Sequence, residues 1–561
     1  MIKSSYVPNL LFVFLVYLLV IGCKSNKSKV PELASIELLR GNITLCGSNQ
    51  FGNVSFASSC SASTQESFDL AISLLHSFEY AEAEKAFVKV IDQDPNCAMA
   101  YWGVAMSIYH TLWKAPTSEE LEKGSKVLMI AKSLQKTERE NKYLEAIGAY
   151  YNKWEEIPHQ KRALMMEEKM GKIYRNFPDD KEAAIFYALA LNSTADPKDK
   201  TYKNRRKAGA ILEAIFPDQP NHPGIAHYII HNYDNPKLAN LALPTARKYA
   251  QIAPSSAHAQ HMPSHIFTRL GLWDESIQSN LNSASSAMCY AEQTELEGNW
   301  TSEIHALDYL FYAHLQKGDN ESANELFEYF KKIEKVSGNN ASISYPFAAI
   351  PARMVLENKE WSKAAKLKLH QVEMQWDQFP WEKSIYHFAR VLGASRVGDL
   401  SSAEKDLAIM VALHKELVQL DEQYKANQVA IQVKASQAWI QVAKGNNEEA
   451  LTLMKASADM ENETEKHPVT PGEVLPAREL LGDLLMAINR PAEALTAYEV
   501  SNELSPNRFN GIYGAARAAK ALGDRKKTAM YFEKLLRLTE NSQSERPETK
   551  EAKDFIRLNK S

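Results

Sequence analysis

Glycine and proline are scarce in this 561-residue chain, at 22 and 23 residues. With few β-branched runs as well, that scarcity favours helix. Neither sign of charge is in excess: 65 basic and 69 acidic residues leave a formal −4. The charges are interspersed, which reads as solvated helix faces and excludes the basic footprint of a nucleic-acid binder. The apolar run Leu10–Ile21 has twelve residues, short of the roughly twenty needed to span a membrane. There is no C-x-x-C pair to support a thioredoxin-like redox role. HExxH, G-x-S-x-G, a Walker loop and a GxGxxG in strand–helix context are also missing. The sequence therefore speaks for binding rather than catalysis.

What is present begins at the N-terminus. Lys3 followed by Leu10–Ile21 reads as an export signal, residues 1–22. It ends in Val20-Ile21-Gly22-Cys23, which resembles the lipobox of bacterial lipoproteins. That resemblance implies cleavage before Cys23, acylation of its thiol and new amino terminus, and stable membrane anchoring by several chains. No Asp follows Cys23, and Lys24-Ser25-Asn26-Lys27-Ser28-Lys29 is basic. The expected location is the cell envelope, on the outer membrane and facing the periplasm. Residues 23–63, with Asn, Ser and Gly, read as a lipidated tether.

A repeat follows. In Ser67–Pro95, Tyr80, Ala83, Phe87 and Pro95 have the spacing of the second half of a tetratricopeptide repeat. Small Ala83 lets two helices approach, Phe87 fills the gap, and Pro95 stops the second helix. Ala100–Ala105 opens the next unit, and Leu475–Pro506 is the cleanest copy, with Gly482, Ala494, Tyr498 and Pro506 in register. Weaker copies centre on Ala323, Ala364, Ala403 and Ala450, while Gln135–Pro178 is degenerate. These resemblances to the tetratricopeptide-repeat family run from about Thr64 to Glu540 and imply an all-α solenoid of helical hairpins. Such units stack into a right-handed superhelix with a concave groove. Longer phrases, among them SFDLAISLLHSF, CAMAYWGVAMS, HAQHMPSHIFTRLGLWDES, HPVTPGEVLPARELLGD and SPNRFNGIYGAARAA, resemble one group of bacterial tetratricopeptide lipoproteins. That resemblance implies the fold and brings no activity with it. The group tends to have Pro after the histidine at 110, where this chain has Thr111. Two arrays are expected, 64–337 and 338–540, followed by a charged tail, 541–561. Cys60 and Cys97 stand 37 residues apart, close to one repeat, so they are the first choice for a disulfide; Cys46–Cys60 is the second.

The histidines have a period of their own. His227 and His231 form an HxxxH pair, His261 and His265 another, and the offset between the pairs is one repeat of 34 residues. Counted from Pro254, they occupy positions 5 and 9 of successive first helices, with His258 at position 2. An insertion around 289–299 delays the next unit, in which His305, Asp308 and Tyr312 take positions 2, 5 and 9. In the family these positions line the groove. Residues four apart share a helix face, and imidazole suits Zn, Cu, Fe or Ni. A transition metal such as Zn on His227, His231, His261 and His265 is thus one reading, with His258, His305, Asp308 and Tyr312 bordering it. The other, taken as the leading one, is a polar groove for a protein, peptide or small ligand, to which Trp102 and His110 of the second repeat contribute an apolar shelf. Pro263 kinks the helix carrying His261 and His265. A glycan-binding lipoprotein is a third reading, resting on the anchor and the length alone.

Overall fold

The computed structural model describes residues 33, 35–47, 50–112, 115–337, 341–465, 469–540, 542, 544 and 546–560; the signal segment and Cys23 lie outside them. Among the described residues the architecture is all helical, apart from one isolated bridge between Asn299 and Val336. No described helix is long and apolar enough to cross a membrane. Hairpins follow one another: Gln65–His76 with Tyr80–Gln93, Ala98–Tyr109 with Ser118–Ser133, Glu138–Tyr151 with His159–Asn176, Lys181–Ser193 with Lys203–Ile215, and Pro223–Tyr233 with Ala239–Ile252. Each second helix also packs on the first helix of the next hairpin. The scheme resumes from Pro380–Val397 to Arg525–Leu538.

A few side chains set this spacing. Ala83, Ala323, Ala364, Ala403, Ala450 and Ala494, the small position of each copy, are all 0% exposed. Tyr498 lies between Gly482 and Gly514, where a Cβ would stand 2.7 and 2.3 Å from its ring. Gly103 meets Phe87 in the same way. At such contacts one added methyl must displace an aromatic ring, a strain that overpacked cores do not absorb freely. The delay in register before His305 is a 21-residue helix, Trp273–Gln293. The apolar interior falls into a core from Leu33 to Phe267, one from Ile304 to Val372 and one from Tyr345 to Ala552.

The N-terminal stretch departs from expectation. Residues 35–47 and 50–61, read as tether, form an extended strap packed on the helices. Leu38, Leu45, Phe51 and Phe56 are buried. An extended segment outside a sheet must find partners for its backbone N–H groups, and here carboxylates on the helices supply them. Leu39 N–H donates to Glu84, Thr44 to Glu82, Phe56 to Asp69, Ser59 to Glu140 and Ser61 to Asp94. Composition suggested a linker because the polar residues of the strap alternate with a few large apolar anchors. Cys60 is bonded to Cys97, and Cys46 to Cys289, 243 residues away. The second-choice pair Cys46–Cys60 is therefore not formed: the strap carries Cys46 to the long helix Trp273–Gln293. The expected tail contains a helix, Pro547–Lys560, packed against Arg525–Leu538.

One loop crosses between the halves. Residues 469–476 precede the helix Ala477–Ala487, and their carbonyls face the helices around residues 269–353. Tyr309 Oη donates to Thr470 O at 3.1 Å, Arg269 Nη1 to Pro471 O at 3.4 Å, and Arg353 Nη2 to Gly472 O at 2.7 Å.

Candidate metal centre

The first helices of successive repeats bring the predicted histidines together as two triads rather than one tetrad. His227, His231 and His258 offer one nitrogen each within 4.8 Å of one another, and so do His261, His265 and His305. Each triad is built alike: positions 5 and 9 of one repeat, completed by position 2 of the next. The triads adjoin, with the His231 and His265 ring centroids 6.3 Å apart. His227, His261 and His265 are buried, and His231, His258 and His305 half-buried. The helix does break at Met262, between Ala257–His261 and Pro263–Leu270. The break leaves His261 and His265 facing each other, with Nε2 atoms 3.0 Å apart.

The outer nitrogens are anchored. His227 Nδ1 donates to His76 O at 2.6 Å, leaving Nε2 to meet His258 Nε2 at 3.1 Å. Asn280 donates its amide to Ser276 O, so its Oδ1 accepts from His261 Nδ1 at 2.7 Å. His265 Nδ1 donates to Asp234 Oδ2 at 2.9 Å. Arg269 holds the other Asp234 oxygen at 2.8 Å. Outer-nitrogen bonds of this kind fix the tautomer and ring orientation of metal-ligating histidines. Their consequence is specific: the neutral rings of His261 and His265 present Nε2 lone pairs to each other across 3.0 Å. A shared proton that makes one ring an imidazolium, or a metal ion, would satisfy both nitrogens. His231 Nε2 is buried without a hydrogen-bond partner. Burial, reinforced by the neighbouring histidines, pushes His227, His258 and His261 well below the usual imidazole range and His231 down to about 3. The rings are therefore held neutral, the state in which they ligate.

The remaining predicted residues lie elsewhere. Asp308 is not a member of either triad; it pairs with buried Arg353 at 2.6 Å. Tyr312 accepts from Arg508 Nη1 at 2.6 Å and meets Trp273 edge-on. The insertion carries position 2 of that repeat to the triad, while position 5 falls to an ion pair and position 9 to a hydrogen bond from an arginine. Trp102 is core, 1% exposed and enclosed by Phe56, Tyr143 and Phe186. The expected apolar shelf is thus covered by the strap. His110 ends the helix Ala98–Tyr109 in a left-handed conformation against Tyr80, away from both triads.

Sequence reasoning missed Asp234 and Asn280, the anchors, and a third group. His76 and His222 both bond Glu182, at 2.9 and 2.8 Å, and all three are buried. Asp234 stands three residues beyond His231 and was open to a local search. Glu182 and His76 lie 106 residues apart, with no shared period to link them. This third group is satisfied internally: His76 Nδ1 meets Tyr228 Oη, and His222 Nδ1 accepts from Ile225 N–H. It braces the backbone carbonyl of His76 on which His227 rests.

Fold and site together define an all-α solenoid of tetratricopeptide type with a row of histidines along its first helices. No protein-family model and no curated protein matches the sequence. Among solved structures, yeast Tom70 aligns at 12% identity over 89% of this chain and 96% of that one, with a TM-score of 0.33. The tetratricopeptide domain of P58(IPK) aligns at 13% identity over 89% and 99%, with a TM-score of 0.19. A tetratricopeptide repeat protein from Parabacteroides merdae aligns at 10% over 75% and 100%, with a TM-score of 0.23. These likenesses are loose, and the repeat architecture rests on the hairpin packing described above.

Proposed function

We propose that this is a transition-metal-binding protein whose histidine triads hold the metal, built on a repeat scaffold that also offers surfaces to protein partners. Stacked helical hairpins are a general platform for protein binding. The stretch of groove next to the histidines, however, is lined by the chain's own strap and by the loop 469–476. The observation that carries the metal reading is the 3.0 Å contact between Nε2 atoms of His261 and His265, whose other nitrogens donate to Asn280 and Asp234. A proton alone needs two acceptors. Here a third imidazole, His305, offers a nitrogen within 4.8 Å of the other two, and small ring movements would bring all three onto one ion at about 2.0–2.1 Å. Purified protein is expected to carry metal by elemental analysis. A chelator should lower its melting temperature and metal should restore it. Identical melting with chelator and with added Zn, Cu, Ni or Fe would leave the proton as the bridging cation. Acid should release the ion, since protonated imidazole cannot ligate.

The anchor belongs to the same proposal: Cys23 holds the protein to the outer membrane, facing the periplasm. Cys23→Ser is then expected to move it from the membrane to the soluble fraction or to leave the signal uncleaved. Unchanged fractionation and detergent partitioning would refute the anchor and leave the metal reading untouched.

A further inference from the structure

We infer that the two triads bind two copper ions, one in each, as an adjacent cuprous pair. This rests on the metal reading above and adds to it the number, identity and charge of the ions.

The number follows from the repeat. His261 and His265 are His227 and His231 moved on by one period, and His305 completes the second triad as His258 completes the first. In each, an inner contact between two Nε2 atoms is already set, at 3.1 Å for His227 with His258 and 3.0 Å for His261 with His265. The third ring stands close by: His231 is 4.7 Å from His227 and His305 is 4.2 Å from His261, centroid to centroid. Two cages of three imidazoles therefore lie side by side, with the inner contact joining positions 5 and 2 in the first and positions 5 and 9 in the second, and neither borrows a ligand from the other.

The charge follows from the surroundings. All six donors are imidazoles, which ligate in the uncharged form, and neither triad contains a carboxylate. Asp234, which holds His265, is also ion-paired with Arg269. Asp308 is paired with Arg353. Glu79, whose carboxylate takes the Ser256 hydroxyl at 2.6 Å, is the remaining acid beside His258. Two divalent ions would bring four positive charges into this enclosure and two cuprous ions only two. Burying charge without compensation is costly in proportion. Zinc ordinarily takes four ligands, with water or substrate filling any place the protein leaves open, whereas a monovalent copper ion is content with three. Imidazole nitrogen is a donor that suits copper.

The test is an anaerobic titration of the full chain with cuprous ion against a competing cuprous chelator, with zinc present in excess, followed by elemental analysis. Two coppers per chain are expected, each with three nitrogen neighbours by X-ray absorption. His258→Gln or His305→Gln should retain one copper and the pair together none, with unchanged helicity by circular dichroism. If His258→Gln does not fold, His231→Gln replaces it in the same triad, since that ring makes no hydrogen bond through Nε2; if His305→Gln does not fold, His305→Asn replaces it. Retention of zinc with loss of copper would overturn this inference and leave the metal reading standing. One copper shared by both triads, so that either single variant loses all of it, would overturn the pairing. Retention of no metal of any kind would overturn both.

Discussion

A double variant, His231→Ala with His265→Ala, is expected to retain no transition metal and to melt at the same temperature with and without chelator. Each substitution removes one ligand from one triad, so neither cage keeps three donors. A ligand that binds only the folded state stabilises it by about 4 kcal/mol at a thousand times its dissociation constant, and that whole increment should disappear. The metal-free protein should change little by comparison. His231 makes no hydrogen bond through Nε2, and removal of His265 leaves Asp234 still bound to Arg269. The measurement is the melting temperature of wild type and variant, each with metal and with chelator. A metal-dependent shift in the variant as large as that of wild type would sink the assignment of these residues.

The second large effect is expected at Arg508. Its guanidinium is 1% exposed and holds two buried carboxylates, Glu357 at 2.7 Å and Glu479 at 3.0 Å. It also donates to Tyr312. Arg508→Ala leaves both acids buried without their cation, a change that costs about 3–5 kcal/mol. In wild type the Arg508 charge, with help from Gln316 and Asn510, holds Glu357 below the usual carboxylate range despite its burial. Its contribution is therefore complete at neutral pH and is lost as pH falls through that lowered value. In the variant Glu357 is raised instead, and Glu479, which burial already raises in wild type, rises further, so their burden is greatest at neutral pH and eases as they take up protons. Urea midpoints at pH 7 and pH 5 separate the two: the gap between wild type and variant should narrow on acidification. A gap that is constant with pH would mean that Arg508 acts by packing alone.

The repeat was legible because its cause is local. A small residue, an aromatic and a proline at fixed offsets are what a hairpin needs in order to close, and the buried alanines from Ala83 to Ala494 answer to that pattern. The histidine stripe was legible for the same reason, since a 34-residue offset is a statement about helix faces. The division into two triads was not: it depends on the 21-residue helix Trp273–Gln293, which shifts His305 alongside His261 and turns Asp308 and Tyr312 away. The strap was misread because a segment without periodicity carries no sign that distant carboxylates will take its N–H groups. Arg353, and Arg508 within a motif that reads as ordinary repeat, are held by distant as well as nearby partners, from 8 to 196 residues away.

The loop at 470–472 has a consequence in time as well as in space. A chain emerges from its N-terminus, from the ribosome or across a membrane on export, and the earlier portion folds first. All six histidines, Asp234 and Asn280 are made before Thr470, Pro471 and Gly472 exist. Until those carbonyls arrive, Tyr309, Arg269 and Arg353 have no cross-chain acceptors at that edge, and the row of imidazoles has one open side. On the proposed metal reading, the young polypeptide would pass through an interval in which an ion could reach the histidines directly. Completion of the C-terminal half would then shut that approach, so that an ion bound early would be retained and one arriving late would wait for the halves to part.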